Sequence, residues 1–480
     1  MLQVSKNEIL NRLRFDNPWW ERTDGIENKI RAYPRRQYFP SFNALVVDAS
    51  VNRAVILMGP RRVGKTVMVY HTIQSLISQD TPPQNILYLS LETPLYTGLS
   101  LEKLLSYFQE MFSHQRSDRV YVFFDEVQYL RDWEIHLKSL VDSFSNYKFV
   151  ATGSAAAALR LKSRESGAGR FTDFLLPPLT FAEYLEFIGK QDELVLPKEN
   201  NETTFRSTDV HKLNAEFINY LNYGGYPEAV FSKLIQEDSS RYIKSDIIDK
   251  VLLRDLPSLY GIADIQELNR LFTTLAYNSG NEISFEALSR TAGVAKNTLK
   301  RYLEYLEAAF LIKRVDRIDQ NARRLKRATA FKIYLTNPSM RAALFGNIED
   351  GSEHIGSLTE TAIFSQWLHS PMIDLLHYAR WDKGEVDIVC LNQEDQKPMW
   401  VVEVKWSDRV VESKSELNNC ANFMIGNLLT TTPIFTTKTY RGFVEYEGIM
   451  FKLIPSSEYA YTLARNIFDY RGFRGSQPSS

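Results

Sequence analysis

The octapeptide GPRRVGKT, Gly59–Thr66, fits the spacing G-x-x-x-x-G-K-[ST] at every fixed position. These residue types suit a phosphate chain. Glycines let backbone N–H groups curl around phosphate oxygens at a helix N-terminus, a lysine reaches the β- and γ-phosphates, and a hydroxyl ligates magnesium. Lys65 and Thr66 take the last two roles, and Gly59, Pro60, Arg61, Arg62, Val63, Gly64 and Val67 complete the cradle. The implied ligands are ATP and Mg2+. The apolar run AVILM (54–58) precedes the loop and VMVYHTIQSLI follows it, so a buried strand should lead into a helix.

Further along, VYVFFDE runs five hydrophobic residues into Asp125 and Glu126. Asp125 sits where an acid would hold magnesium through water, and Glu126 where one would orient the attacking water. A strand that merely ends in acids is the competing reading. YKFVATGS ends in Thr152 and Ser154. A polar side chain there would lie beside the γ-phosphate; Ser154 is the choice, against ordinary strand-end capping. RESGAGRF holds Arg164 and Arg170. A cation must neutralise charge developing on the γ-phosphate, often from a neighbouring molecule, so Arg170 is a candidate finger and a homo-oligomer is an expected partner. A solvated loop arginine is the alternative.

A second constellation lies near the C-terminus. In VVEVKW (401–406), strand alternation puts Val401, Glu403 and Lys405 on one side and Val402, Val404 and Trp406 on the other. An acid and a lysine in an apolar strand are costly to bury unpaired. Asp387, in the hairpin-like LLHYARWDKGEVDIVCL, and Glu360, in the helical GSLTETAIFSQWL, supply further carboxylates. Glu360, Asp387 and Glu403 form a candidate magnesium site for phosphodiester hydrolysis, with Lys405 to activate water or stabilise the pentavalent charge. Glu385 shares Asp387's face and is an alternative ligand. The competing readings are a structural Glu403–Lys405 network, or a site that binds nucleic acid without cutting.

These side chains need elements to hold them. A chain of 480 residues implies two to four domains, and 44% hydrophobic residues suffice for real cores. Lys plus Arg (57) balance Asp plus Glu (58), which excludes a global attraction to nucleic acid or anionic membrane and makes any basic site local. Two cysteines, Cys390 and Cys420, exclude a disulfide framework and suit a reducing compartment. No signal-peptide core and no run of about 18 apolar residues is present, so the expectation is cytoplasmic, with no membrane partner.

Residues 1–40 read as a helical, then aromatic segment, and 41–190 as a parallel α/β domain from AVILM, NILYLSLE, RVYVFFDE, YKFVATG and FTDFLLPPL. Residues 191–210 read as a polar linker and 211–275 as a helical lid region. Residues 276–340 show helix, short turn at Gly293, helix, then two strands about a basic tip, the winged-helix pattern. Val294, Leu299, Leu303 and Leu306 make the inner stripe of its second helix. Lys296, Asn297, Lys300 and Arg301 face outward, and the tip adds Arg323, Arg324, Lys326 and Arg327. These could contact DNA phosphates, with Asn297 near a base edge; a structural lid or protein contact is the alternative. Residues 341–470 read as α/β again and 471–480 as a disordered tail.

The order NPWW (17–20), GPRRVGKT, FFDEVQ, ATGS, GAGRF, PLTFAEYL (178–185) and YGGYPEAV (223–230) resembles a family of bacterial and archaeal AAA-type P-loop ATPases. In that family a C-terminal domain of unknown function with a PD-(D/E)XK nuclease-like fold is appended. The resemblance spans essentially the whole chain and implies ATP binding. The expected architecture is an AAA-type ATPase, a winged helix and a restriction-endonuclease-like α/β domain. The expected function is ATP hydrolysis coupled to DNA binding and magnesium-dependent cutting. The rivals are a regulatory switch acting on a protein partner, its C-terminal domain a catalytically inactive binding module, and a signalling ATPase whose winged helix is transcriptional.

Overall fold

The computed structural model describes residues 5–22, 25–153, 169–198, 202–323 and 330–475. The chain divides into two compact units, Met1–Leu176 and Pro177–Ser480.

In the first unit the apolar runs become β1 (Ala54–Met58), β2 (Ile86–Ser90), β3 (Val120–Asp125), β4 (Tyr147–Gly153) and β5 (Phe171–Leu175). Among the described residues these form one parallel sheet in the order β2-β3-β4-β1-β5. β1, β3 and β4 are buried along their whole length, which is why they read as continuous apolar runs rather than alternating ones. Parallel pairing brings the C-terminal ends of the strands to one edge. Met58, Asp125 and Gly153, three points far apart in sequence, therefore arrive together. The helix Lys65–Ser78 starts at that edge.

The N-terminal segment closes the outer side of β2. Asn17 accepts from the Tyr88 N–H at 2.6 Å and donates to the Tyr88 carbonyl at 2.9 Å. The indoles of Trp19 and Trp20 both donate to the Ile86 carbonyl, at 3.1 and 2.8 Å. Backbone groups that lack a strand on that side are thus satisfied by side chains.

In the second unit, 191–210 is not an unstructured linker. It holds the helix Gln191–Leu194 and an antiparallel pair, β6 (Val195–Leu196) and β7 (Arg206–Ser207). Ser207 donates to Glu458 through its N–H at 2.7 Å and its hydroxyl at 2.6 Å. Partners so distant in sequence leave no local pattern. The other strands are β8 (Glu282–Ser284), β9 (Ile312–Ile318), β10 (Ala330–Leu335), β11 (Leu376–Trp381), β12 (Gly384–Leu391), β13 (Pro398–Glu403), β14 (Ile434–Thr437), β15 (Gly442–Tyr446) and β16 (Ile449–Pro455). Among the described residues they build one sheet, β15-β16-β14-β13-β12-β11-β9-β10-β8.

Segments 276–340 and 341–470 therefore share a sheet rather than standing as successive domains. The seam is the parallel pair β9–β11, with Tyr378 beside Arg317 and Ala379 beside Ile318. Helices Phe285–Ala292 and Lys296–Ala308 meet at Gly293, whose φ of +70° ends the first helix. Val294, Leu299, Leu303 and Leu306 are buried, as their spacing requires. The helix Ser456–Gly475 runs past 471, where the sequence reading began a disordered tail. Burial of Tyr459, Ala460, Leu463 and Ala464 at helical spacing carries it forward.

Candidate nucleotide site and carboxylate cluster

The phosphate loop is built around tight backbone geometry. Gly64 has φ +93° and Arg62 φ +63°, both left-handed. At Gly59 a β-carbon would stand 2.2 Å from the Leu176 carbonyl oxygen, so the loop can approach β5 only as glycine. Lys65 is buried, and its ammonium donates to the carbonyls of Gly59 (3.1 Å) and Pro60 (2.7 Å). The Arg36 guanidinium braces the loop through the Val63 carbonyl at 2.7 Å.

Asp125 is the hub of the site. Thr66 donates to its Oδ2 at 3.0 Å, Tyr88 donates to the same oxygen at 2.8 Å, and Thr152 donates to Oδ1. Burial, then the charge of Glu126, raises its pKa above the ordinary carboxylate range, against the three hydroxyl donors. A hard divalent cation suits this pairing of hydroxyl and carboxylate. Thr66 and Asp125 are the residues that would hold Mg2+, and they fit it.

Glu126 follows with a left-handed φ of +56°; its N–H donates to Thr152 Oγ1 at 3.3 Å and its carboxylate accepts from the Gln128 amide. Thr152 thus links both acids. It stands beside Leu57 of the phosphate-loop strand, because β4 lies between β1 and β3. Ser154 and Arg164 lie outside the described residues.

Arg170 does not face its own phosphate loop. Its carbonyl accepts from the Ala54 N–H at 2.9 Å, at the entry end of β1, and its guanidinium meets Asp142 at 3.1 Å. At about 3.3 Å per strand residue, that is roughly 15 Å from the loop. The sequence shows only that Arg170 precedes a strand; the parallel register decides which edge it occupies.

The C-terminal acids do converge. One step beyond the Ile388–Val402 pair lie Asp387 and Glu403. The Val404 N–H donates to Asp387 Oδ2 at 3.0 Å. β13 ends at Glu403, so Lys405 lies past the strand, held by Thr436 Oγ1, which accepts from its N–H at 2.8 Å. Lys405 Nζ reaches Glu403 Oε1 at 2.5 Å and Asp387 Oδ2 at 3.3 Å.

A residue the sequence reading passed over completes the cluster. Lys332, on β10 and 2% exposed, places Nζ 2.6 Å from Glu385 Oε1, 2.8 Å from Glu360 Oε1 and 3.2 Å from Asp387 Oδ1. Tyr334 donates to Glu360 Oε1 at 2.6 Å, and Arg380 pairs with Glu385 Oε2 at 2.9 Å. Glu360, Asp387 and Glu403 are all buried. Burial and the charge of Asp387 push Glu360 up to about 7. Burial would raise Asp387 too, but the Lys405 and Lys332 ammoniums hold it below the ordinary range.

The cluster does not fit a magnesium site, because two ammoniums already take its carboxylates: Lys332 bonds Glu360 and Asp387, and Lys405 bonds Asp387 and Glu403. Among the described residues no group of three or more His, Cys, Asp or Glu side chains is arranged to hold a metal ion. One signal pointed to Lys332: a lone lysine in the apolar run ATAFKIYL is the same anomaly that VVEVKW presents.

On the helix–turn–helix, Lys296, Asn297, Lys300 and Arg301 are exposed, as is Arg323. Arg324, Lys326 and Arg327 lie outside the described residues.

The family model described as "AAA domain" matches residues 51–185. This segment is an AAA-type P-loop ATPase domain. A second model, "Domain of unknown function (DUF8612)", matches residues 214–350, a range that includes Lys332 but ends before Glu360, Asp387 and Glu403. The chain is 24% identical to an uncharacterized protein of Haemophilus influenzae over 372 residues, 76% of this chain and 84% of that one. It is also 24% identical to an uncharacterized protein of Methanocaldococcus jannaschii over 420 residues, 83% of this chain and 86% of that one. Among solved structures, it is similar to the Aeropyrum pernix ORC2 protein in ADPNP–ADP complexes, with 14% identity, TM-score 0.40 and coverage of 68% and 96%. The replication initiator DnaA bound to AMPPCP and single-stranded DNA gives 14% identity, TM-score 0.28 and coverage of 55% and 85%. No helix among the described residues is long and apolar enough to cross a membrane.

Proposed function

We propose that the chain is an ATP-hydrolysing switch that contacts DNA through its helix–turn–helix and does not cut it. The observation that carries the hydrolytic reading is the convergence of Thr66, Tyr88 and Thr152 on Asp125 beside the phosphate loop. Bound Mg2+ would supply neutralisation of the triphosphate charge. Lys65 leaves its loop carbonyls to meet the β- and γ-phosphates. Glu126 positions the attacking water and takes its proton, while Thr152 fixes the Glu126 backbone. Arg170 belongs to this chemistry only as a finger offered to a second copy.

The exposed Lys296, Asn297, Lys300 and Arg301 support the DNA contact. Cutting at Glu360, Asp387 and Glu403 has less support, since each of these carboxylates already bonds a lysine. A test is purified protein with ATP, magnesium and plasmid or single-stranded DNA, beside Lys65→Ala and Lys405→Ala. ATP turnover lost in Lys65→Ala, with DNA bound but intact in every sample, is the expected result. Normal turnover in Lys65→Ala would overturn the ATPase reading. Cleavage that disappears in Lys405→Ala would restore the nuclease.

A further inference from the structure

We infer that Lys332 is the resident cation of the C-terminal carboxylate cluster, standing where a phosphodiesterase would hold a divalent metal, and that the native cluster excludes such ions. The inference deepens the non-cutting reading of this cluster and is independent of ATP hydrolysis. An ammonium has three N–H donors and no acceptor. Lys332 meets three acceptors, one oxygen each from Glu360, Glu385 and Asp387, at 2.6–3.2 Å. All its donors are spent on the oxygens that a metal would need.

Charge balance points the same way. The four acids Glu360, Glu385, Asp387 and Glu403 face Lys332, Lys405 and, from Glu385's other oxygen, Arg380. The excess of negative charge that would draw in a divalent ion is largely neutralised.

Nor can the ammonium step aside easily. Its backbone sits inside the sheet, paired with Val315 on one side and Glu282 on the other. Its Nζ lies 5.4 Å from the Tyr378 ring centroid. The ladder fixes where the side chain starts, and with Lys332 only 2% exposed the packing around it restricts the rotamers that would carry Nζ away from the acids.

The test uses full-length, nucleotide-free protein on a Thr66→Ala background, so that the phosphate loop contributes no ion. Mn2+ binding is read by electron paramagnetic resonance, and melting temperature is followed with and without Mn2+. The parent protein should bind no Mn2+ that is lost on Asp387→Asn, and Mn2+ should leave its melting temperature unchanged. Lys332→Met should gain one Mn2+ per chain, lose it when Asp387→Asn is added, and melt higher with Mn2+. Asp387-dependent Mn2+ binding by the parent would overturn the inference, and so would a folded Lys332→Met that gains no ion. If Lys332→Met fails to fold, the parent compared with Asp387→Asn still decides.

Discussion

Asp125 gathers three hydroxyl donors, so its charge and its shape can be tested separately. Asp125→Asn keeps the shape and loses the charge. It should retain nucleotide binding while hydrolysis, measured as phosphate release, falls about 100-fold or more. Glu360 offers a pH test. Its pKa rises from 4.5 in the unfolded chain to about 7 in the fold, through burial and then the charge of Asp387. Between those values the folded protein keeps a proton that the unfolded chain has released. Glu360's contribution is therefore complete below 4.5 and fades as pH rises toward about 7. Denaturant midpoints of the Pro177–Ser480 unit should fall across this window, and Glu360→Gln should flatten the fall. At this scale the phosphate loop was legible because a contiguous motif carries its own geometry. Lys332 and Tyr88 were not, because a lysine's or tyrosine's partner is set by strands that meet only on folding.

The helix–turn–helix can be read from its spacing because both its faces are local. Leu303 is fully buried on the inner stripe. Leu303→Ala should cost about 2–5 kcal/mol in chemical denaturation. On the outer face, Lys300→Ala and Arg301→Ala should each reduce the salt slope of log affinity for DNA by about 1 and weaken all sequences alike. A protein-contact role would leave that slope unchanged by either substitution. The strand runs of the first unit were equally plain, since strands buried on both faces are apolar throughout. What alternation cannot say is which strand lies next to which. The joining of β9 to β11, and with it the arrival of Lys332 among the C-terminal acids, follows from that missing information. So does the placement of Arg170 at the far edge of its sheet.

At the scale of the whole molecule, nucleotide should stabilise one compact unit directly. A ligand at 100 times its Kd adds about 2.7 kcal/mol to the state that binds it. Amide exchange in Met1–Leu176 should slow accordingly with ATP analogue and Mg2+, and Lys65→Ala should abolish the effect. The same unit also controls how molecules meet one another. An outer strand with free backbone groups is a template on which a neighbour's strand can add and begin a fibre. On β2 that template is already taken: Asn17 holds both polar groups of Tyr88, and Trp19 and Trp20 share the Ile86 carbonyl. NPWW is therefore also a guard against aggregation. Asn17→Ala combined with Trp20→Phe should shorten the lag of thioflavin-positive fibre growth, while any working homo-oligomer assembles through a surface other than this edge.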